Sequence, residues 1–173
     1  PDLYRHSVAF VLGQVSAWRP IHATFSSTPD FFELRTMKIG TPKEIFEGEA
    51  RVAMSPQSAL ALQKLGYEVA IESGAGDAAR FSDADYKEAG VEVIKSAAAL
   101  WKACDIIVKV RAPEGATELK RVQEGQTLIS FIWPAQNEKL LADLNKKNVT
   151  CLAMDMVPRI SRAQKMDALS SMA

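Results

Sequence analysis

From Met37 onward the chain alternates between two kinds of segment, and this alternation limits the folds open to it more than any other feature. Short runs rich in β-branched and apolar residues occur at MKIGT (37–41), YEVAIES (67–73), VEVI (91–94), DIIVKV (105–110), TLISFI (127–132) and VTCLAMD (149–155). Between them lie helix-like stretches, SPQSALALQKLG (55–66), SDADYKEAG (82–90), SAAALWKA (96–103) and NEKLLADLNKK (137–147). Strands that alternate with helices pair in parallel through crossovers. The expected fold is therefore α/β, a doubly wound parallel sheet of the Rossmann-like or flavodoxin-like kind. DIIVKV is apolar through most of its length, as a strand covered on both faces should be. Ser55 and Pro56 read as an N-cap with proline at the first helical position, and Gly66 as the stop. In such sheets ligands sit at the carboxyl ends of the strands, which directs attention to Lys109, Trp133 to Gln136 and Asp155 to Arg159.

Residues 1–36 differ in character. They contain no lysine, carry Arg5, Arg19 and Arg35 against Asp2, Asp30 and Glu33, and hold both histidines, His6 and His22. The chain opens on Pro1, and SVAFVLGQVSA has the length of a signal-peptide core, though Gly13 and Gln14 weaken it. The expectation is a poorly structured leader outside the native domain over 1–36, with a secretion signal or an organelle presequence as the other readings. An α/β subdomain then runs over 37–160.

Charge narrows the partners. Lys plus Arg and Asp plus Glu each total 21, so no global field would draw in nucleic acid or an anionic membrane. No run approaches the length of a transmembrane helix. Cys104 and Cys151 share no motif spacing and suit packed thiols in a reducing compartment better than a disulfide or a metal site.

Several catalytic templates fail. GAGDAA (74–79) follows a strand and formally matches G-x-G-x-x-A, but FSDAD restarts a helix almost at once, so Gly74 and Gly76 read as a tight turn. No histidine follows His22, which removes a histidine base, a Ser-His relay and histidine metal ligands from the folded part. NVT (148–150) matches a glycosylation sequon but opens a buried-looking strand. The end of the chain, VPRISRAQKMDALSSMA (157–173), reads as the start of a helix over 161–173, with Ser161 and Gln164 as a capping box. Gln164, Asp167 and Ser170 or Ser171 share one face of it, with Arg159 beside the cap. That face is either a solvated polar surface or a cluster able to grip an amide or a ribose.

MKIGTPKEIFEGEARVAMSPQSALALQKLGYEVAIESGAG, FSDADY, DIIVKVRAP, SFIWPAQN and MVPRISRAQKMDALSSMA together resemble the N-terminal part of the proton-translocating NAD(P) transhydrogenase alpha subunit. This is the alanine dehydrogenase/transhydrogenase N-terminal domain family, and the likeness runs from Met37 to Ala173. The resemblance implies a two-subdomain NAD(H)-binding component, forming a homodimer. It works with an NADP(H)-binding component and a proton-conducting membrane domain. By position, Arg159, Gln164, Asp167 and Ser170 would surround the nicotinamide and its ribose, with Gln164 nearest the NADP-carrying partner and Arg159, Gln164 and Asp167 serving hydride transfer. Lys165 departs from the small polar residue of some relatives. No metal is implied. The helix at 161–173 would lead into a second subdomain carrying the true fingerprint, missing from this chain, so a fragment inactive on its own is expected. Relatives occupy the cytoplasmic face of the bacterial inner membrane or the matrix side of the mitochondrial one.

Two other readings stand beside it. Alanine dehydrogenases share the KE…E…RVA…P opening and a lysine in the DIIVKV-type strand, matched here by Arg51 and Lys109, which in those enzymes hold the substrate carboxylate. They also use a histidine where this chain has Trp133, and without it proton transfer loses its agent. Ion pairs bracing the domain are the alternative role for Arg51 and Lys109. A non-catalytic docking module using the last helix is the other reading.

Overall fold

The computed structural model describes residues 36–167. Nearly all of the expected leader, together with Ser170 and the rest of 168–173, lies outside these residues. The described strands are β1 (Lys38–Thr41), β2 (Glu68–Glu72), β3 (Glu92–Ile94), β4 (Ile106–Arg111), β5 (Thr127–Phe131) and β6 (Thr150–Ala153). They form one sheet in the order β3-β2-β1-β4-β5-β6, and each neighbouring pair is parallel. This is the doubly wound order in which the chain leaves the middle of the sheet twice, once in each direction.

The helices are α1 (Pro56–Lys64), α2 (Asp83–Glu88), α3 (Ala97–Ala103), α4 (Gly115–Arg121) and α5 (Glu138–Lys146). Ser55 starts α1 with a capping box to Ser58, and Ser82 starts α2 with one to Asp85. Each box satisfies backbone donors that a helix start leaves open. Gly66, at φ +92°, follows the last turn of α1 in a conformation that glycine adopts without strain. No described helix is long and apolar enough to cross a membrane.

Alternation along β2 builds two cores. Ala70 joins Leu100, Trp101, Cys104, Ile107, Leu128 and Leu144 on one side of the sheet. Val69 and Ile71 join Ala59, Tyr86, Ala89 and Val91 on the other. Successive strand side chains point to opposite faces, so a strand covered twice must be apolar at every position. On the α2 side the Tyr86 hydroxyl donates to the Met54 carbonyl at 2.7 Å, which satisfies its polar tip within the core.

Three segments differ from the sequence expectation. α4 was not anticipated: it spans seven residues, starts at Gly115 without a side-chain cap, and is held by the buried Glu118. The last strand stops at Ala153, and a 3-10 turn over Met154–Met156 follows. The expected capping box at Ser161 is absent; Ser161–Ala163 is a single 3-10 turn with no side-chain cap, followed by a turn through Met166. GAGDAA does form a tight turn. Gly74 N–H and the Ser73 hydroxyl both donate to Asp83, and only a three-residue 3-10 turn follows.

Gly40 lies at the centre of the sheet, where a β-carbon would stand 2.5 Å from Cys104 Sγ. Backbone and thiol can approach this closely only because the position lacks a side chain. Gly40→Ala should lower stability by about 1–3 kcal/mol through overpacking. Adding Cys104→Ala should recover part of the loss, as measured by denaturant melts of the two single variants and the double.

Candidate functional site

Strand order reverses between β1 and β4, so the loops leaving their carboxyl ends diverge and open a crevice. Nearby, at the ends of β4 and β5, lies a cleft of about 510 Å³ lined by Phe46, Arg111, Leu119, Trp133, Asn137 and Leu140 among others. Its volume falls within the range of small-molecule sites. Phe46 comes from the loop after β1, Arg111 ends β4, and Trp133 follows β5.

One carboxylate organises the cations around this cleft. Glu49, with a side chain 4% exposed, accepts from Arg51 Nε at 2.7 Å, from Arg51 Nη2 at 2.6 Å and from Arg111 Nε at 2.9 Å. The Arg51 guanidinium, seconded by Arg111, holds the Glu49 carboxyl down at about 2 against the effect of burial. Arg111 is also flanked by rings: its guanidinium carbon lies 4.6 Å from the Phe46 centroid and 5.7 Å from that of Trp133. Trp133 in turn stacks on Phe131 at 6.1 Å.

Lys109 is not near this clamp in its pairing. It is enclosed, with a side chain 1% exposed, and donates to Glu118 Oε1 at 2.7 Å. Its ammonium also lies 3.4 Å from Glu44 Oε2, an oxygen that finds no hydrogen-bond partner. The other oxygens serve the backbone: Glu44 Oε1 accepts from Val110 N–H, and Glu118 Oε2 from Glu114 N–H. Burial raises the Glu44 carboxyl above the usual range, with Lys109 pulling the other way. Arg51 and Lys109 are thus committed to different carboxylates. The residue that shares a partner with Arg51 is Arg111, which sequence reading passed over along with Glu49 and Phe46. The available signals were the E-x-R spacing at 49–51 and the second basic residue of KVR at 109–111.

Arg159, Gln164 and Asp167 follow β6 in the chain. Arg159 and Gln164 are exposed, and neither side chain hydrogen-bonds or ion-pairs with the described residues; Asp167 is 7% exposed. Ser170 lies outside the described residues. A guanidinium is a planar fork of donors and a side-chain amide both donates and accepts, so Arg159 and Gln164 keep hydrogen-bonding capacity that the described residues do not use. Among the described residues no His, Cys, Asp or Glu group is arranged to hold a metal ion, and both cysteines are free thiols.

The two carboxylates around Lys109 differ in consequence. Glu118→Gln should cost about 3–5 kcal/mol, because it breaks the close buried pair. Glu44→Gln should be far milder. A carboxyl whose folded pKa is raised contributes stability in full below its unfolded value, near 4.5, and loses it as pH rises through the folded value. Thermal melts between mildly acid and neutral pH should therefore show the wild type falling relative to Glu44→Gln as pH rises.

The family model for "Alanine dehydrogenase/PNT, N-terminal domain" matches residues 40–173. The chain is 69% identical over 137 residues to the NAD(P) transhydrogenase subunit alpha of Cereibacter sphaeroides, covering 79% of this chain and 26% of that protein. It is 39% identical over 121 residues to the alanine dehydrogenase of Halomonas elongata, covering 70% of this chain and 32% of that protein. Among solved structures, the transhydrogenase of Sinorhizobium meliloti superposes with a TM-score of 0.73 at 39% identity, over 78% of this chain and 40% of that one. The chain spans about a quarter of the length of the first of these relatives. With the family model running through almost all of the described residues, the chain belongs to the alanine dehydrogenase/PNT N-terminal domain family.

Proposed function

We propose that this chain is the first part of the NAD(H)-binding component of a proton-translocating NAD(P) transhydrogenase. One observation carries the choice over alanine dehydrogenase. The cations that would grip a substrate carboxylate are spent on internal ones, Arg51 and Arg111 on Glu49 and Lys109 on Glu44 and Glu118. Arg159 and Gln164 are left uncommitted among the described residues. Trp133 stands where a proton-transferring histidine would be needed to reduce an imino acid.

Bound NAD(H) supplies the hydride-carrying ring. Arg159 presents guanidinium donors toward a ribose or an amide oxygen, Gln164 orients a carboxamide by donating and accepting at once, and Asp167 and Ser170 accept from or donate to hydroxyls. Exchange of hydride between two nicotinamides needs no acid or base from the protein, only two rings held close and aligned. The absence of histidine after His22 is compatible with that chemistry. The partners in this reading are a second NAD-binding subdomain, an NADP(H)-binding component with Gln164 facing it, a proton-conducting membrane domain and a second copy of the chain. The setting is the cytoplasmic face of a bacterial inner membrane or the matrix side of the mitochondrial one.

Two measurements test the reading. The 173-residue chain alone should bind NADH weakly, since the N–H of Gly74 is engaged by Asp83 and the loop opens no α-helix to cradle a pyrophosphate. Micromolar affinity by titration calorimetry would count against it. In the whole transhydrogenase, Gln164→Asn should slow hydride transfer by up to about 100-fold through misplacement, with the Kd for NADH nearly unchanged. Equal losses in both would remove the positioning role.

A further inference from the structure

The β5–β6 ladder ends at the pair Ser130–Ala153, yet the two segments stay joined beyond it through one side chain. Asp155 accepts from Ile132 N–H at 2.7 Å with one carboxylate oxygen and from Trp133 N–H at 3.0 Å with the other. The residues it grips are unusual. Trp133 has φ +48°, a conformation that a bulky side chain adopts only when its surroundings impose it. The same turn is held from its carbonyl side, where Asn137 Nδ2 donates to Ile132 O at 2.7 Å and the Gln136 and Asn137 amides donate to Trp133 O. A carboxylate receiving two successive backbone donors thus replaces the ladder at the point where β6 leaves the sheet.

We infer that Asp155 is a positioning residue for hydride transfer. By pinning the root of the 157–167 segment to the β5 turn, it sets where Arg159, Gln164 and Asp167 are delivered. Past Asp155 this segment contains only isolated turns, with no strand pairing among the described residues to guide it. Its direction is fixed at its root. The clamp also fixes Trp133, whose ring packs on Phe131 and over the Arg111 guanidinium, so one side chain aligns the terminal segment with the strand-end cleft. Any displacement at Asp155 grows along the segment, and hydride transfer is sensitive to small errors in ring placement.

The inference rests on the transhydrogenase reading, and the test separates the two. Asp155→Asn keeps the shape but replaces one acceptor oxygen with an NH2 group facing an N–H donor. In the whole enzyme this variant should lower the hydride-transfer rate about tenfold with the NADH Kd nearly unchanged, a split that general destabilisation does not produce. Amide exchange at Ile132 and Trp133 should accelerate in the same variant. Asp155→Glu, which retains two acceptor oxygens on a longer arm, should recover part of both effects, and it serves as the test if Asp155→Asn fails to fold. Wild-type transfer that is slowed by Gln164→Asn but unaffected by either Asp155 variant overturns the positioning role alone. Parallel loss of rate and NADH affinity overturns it as well. A wild-type enzyme without hydride transfer overturns both readings.

Discussion

The two halves of the sheet are joined through one short seam. β1 is the strand that pairs with both β2 and β4, and its registered contact with β4 covers only Ile39–Ile106 and Gly40–Ile107. The seam is extended at its start, where Asp105 accepts from Lys38 N–H through its side chain and donates to Lys38 O through its backbone, both at 2.9 Å. Cys104, which ends α3, fills the space that Gly40 leaves open, so the helix returning from the β3 edge can pack close beside the middle of the sheet. A doubly wound order requires such a return, and here it depends on the absence of one side chain. The crevice above β1 and β4 exists because the chain parts in opposite directions at that seam.

Electrostatics at the carboxyl ends follows a rule of internal neutralisation. Three carboxylates, Glu44, Glu49 and Glu118, engage three cations, Lys109, Arg51 and Arg111, all with little or moderate exposure apart from Arg51. Buried charges persist only when paired and hydrogen-bonded, and these carboxylates also receive backbone N–H groups from Arg51, Val110 and Glu114. They therefore serve two ends, tying the loop after β1 and helix α4 to strand β4 and using up the positive charge that would otherwise attract an anion. Polar capacity is left over further along the chain, in the segment after β6. That division of labour separates a braced scaffold from an exposed segment whose polar groups are not spent on it.

Much of this was readable from residue order. All six described strands lie within or one residue beyond the β-rich runs, because β-branched and apolar residues concentrate where a strand packs into the sheet, most continuously in the central β4. α4 escaped because GATELKR is short, begins with glycine and owes its place to Glu118, a charged residue whose burial depends on pairing with Lys109 of the preceding strand. The Ser161–Gln164 spacing looked like a capping box, yet local spacing states only what a helix could use, and here the chain makes a 3-10 turn instead. For Arg51 and Lys109 residue order left two roles open, and their ion pairs in the fold are with different carboxylates. A sequence lists cations but not the carboxylates that fold in between them, and Glu49 and Glu118 decide which cation goes where.

The tryptophans of the folded part occupy opposite environments. Trp101, on α3, is 0% exposed within the core, and its indole N–H has no partner there. Trp133 is 39% exposed at the strand ends, beside a guanidinium and stacked on Phe131. With Trp18 replaced by phenylalanine, emission should accordingly divide into a blue component from the core and a red component from the cleft, with the red one open to collisional quenchers and the blue one shielded. Those two positions are optical reporters, one that registers whether the sheet is intact and one that registers the state of its carboxyl edge.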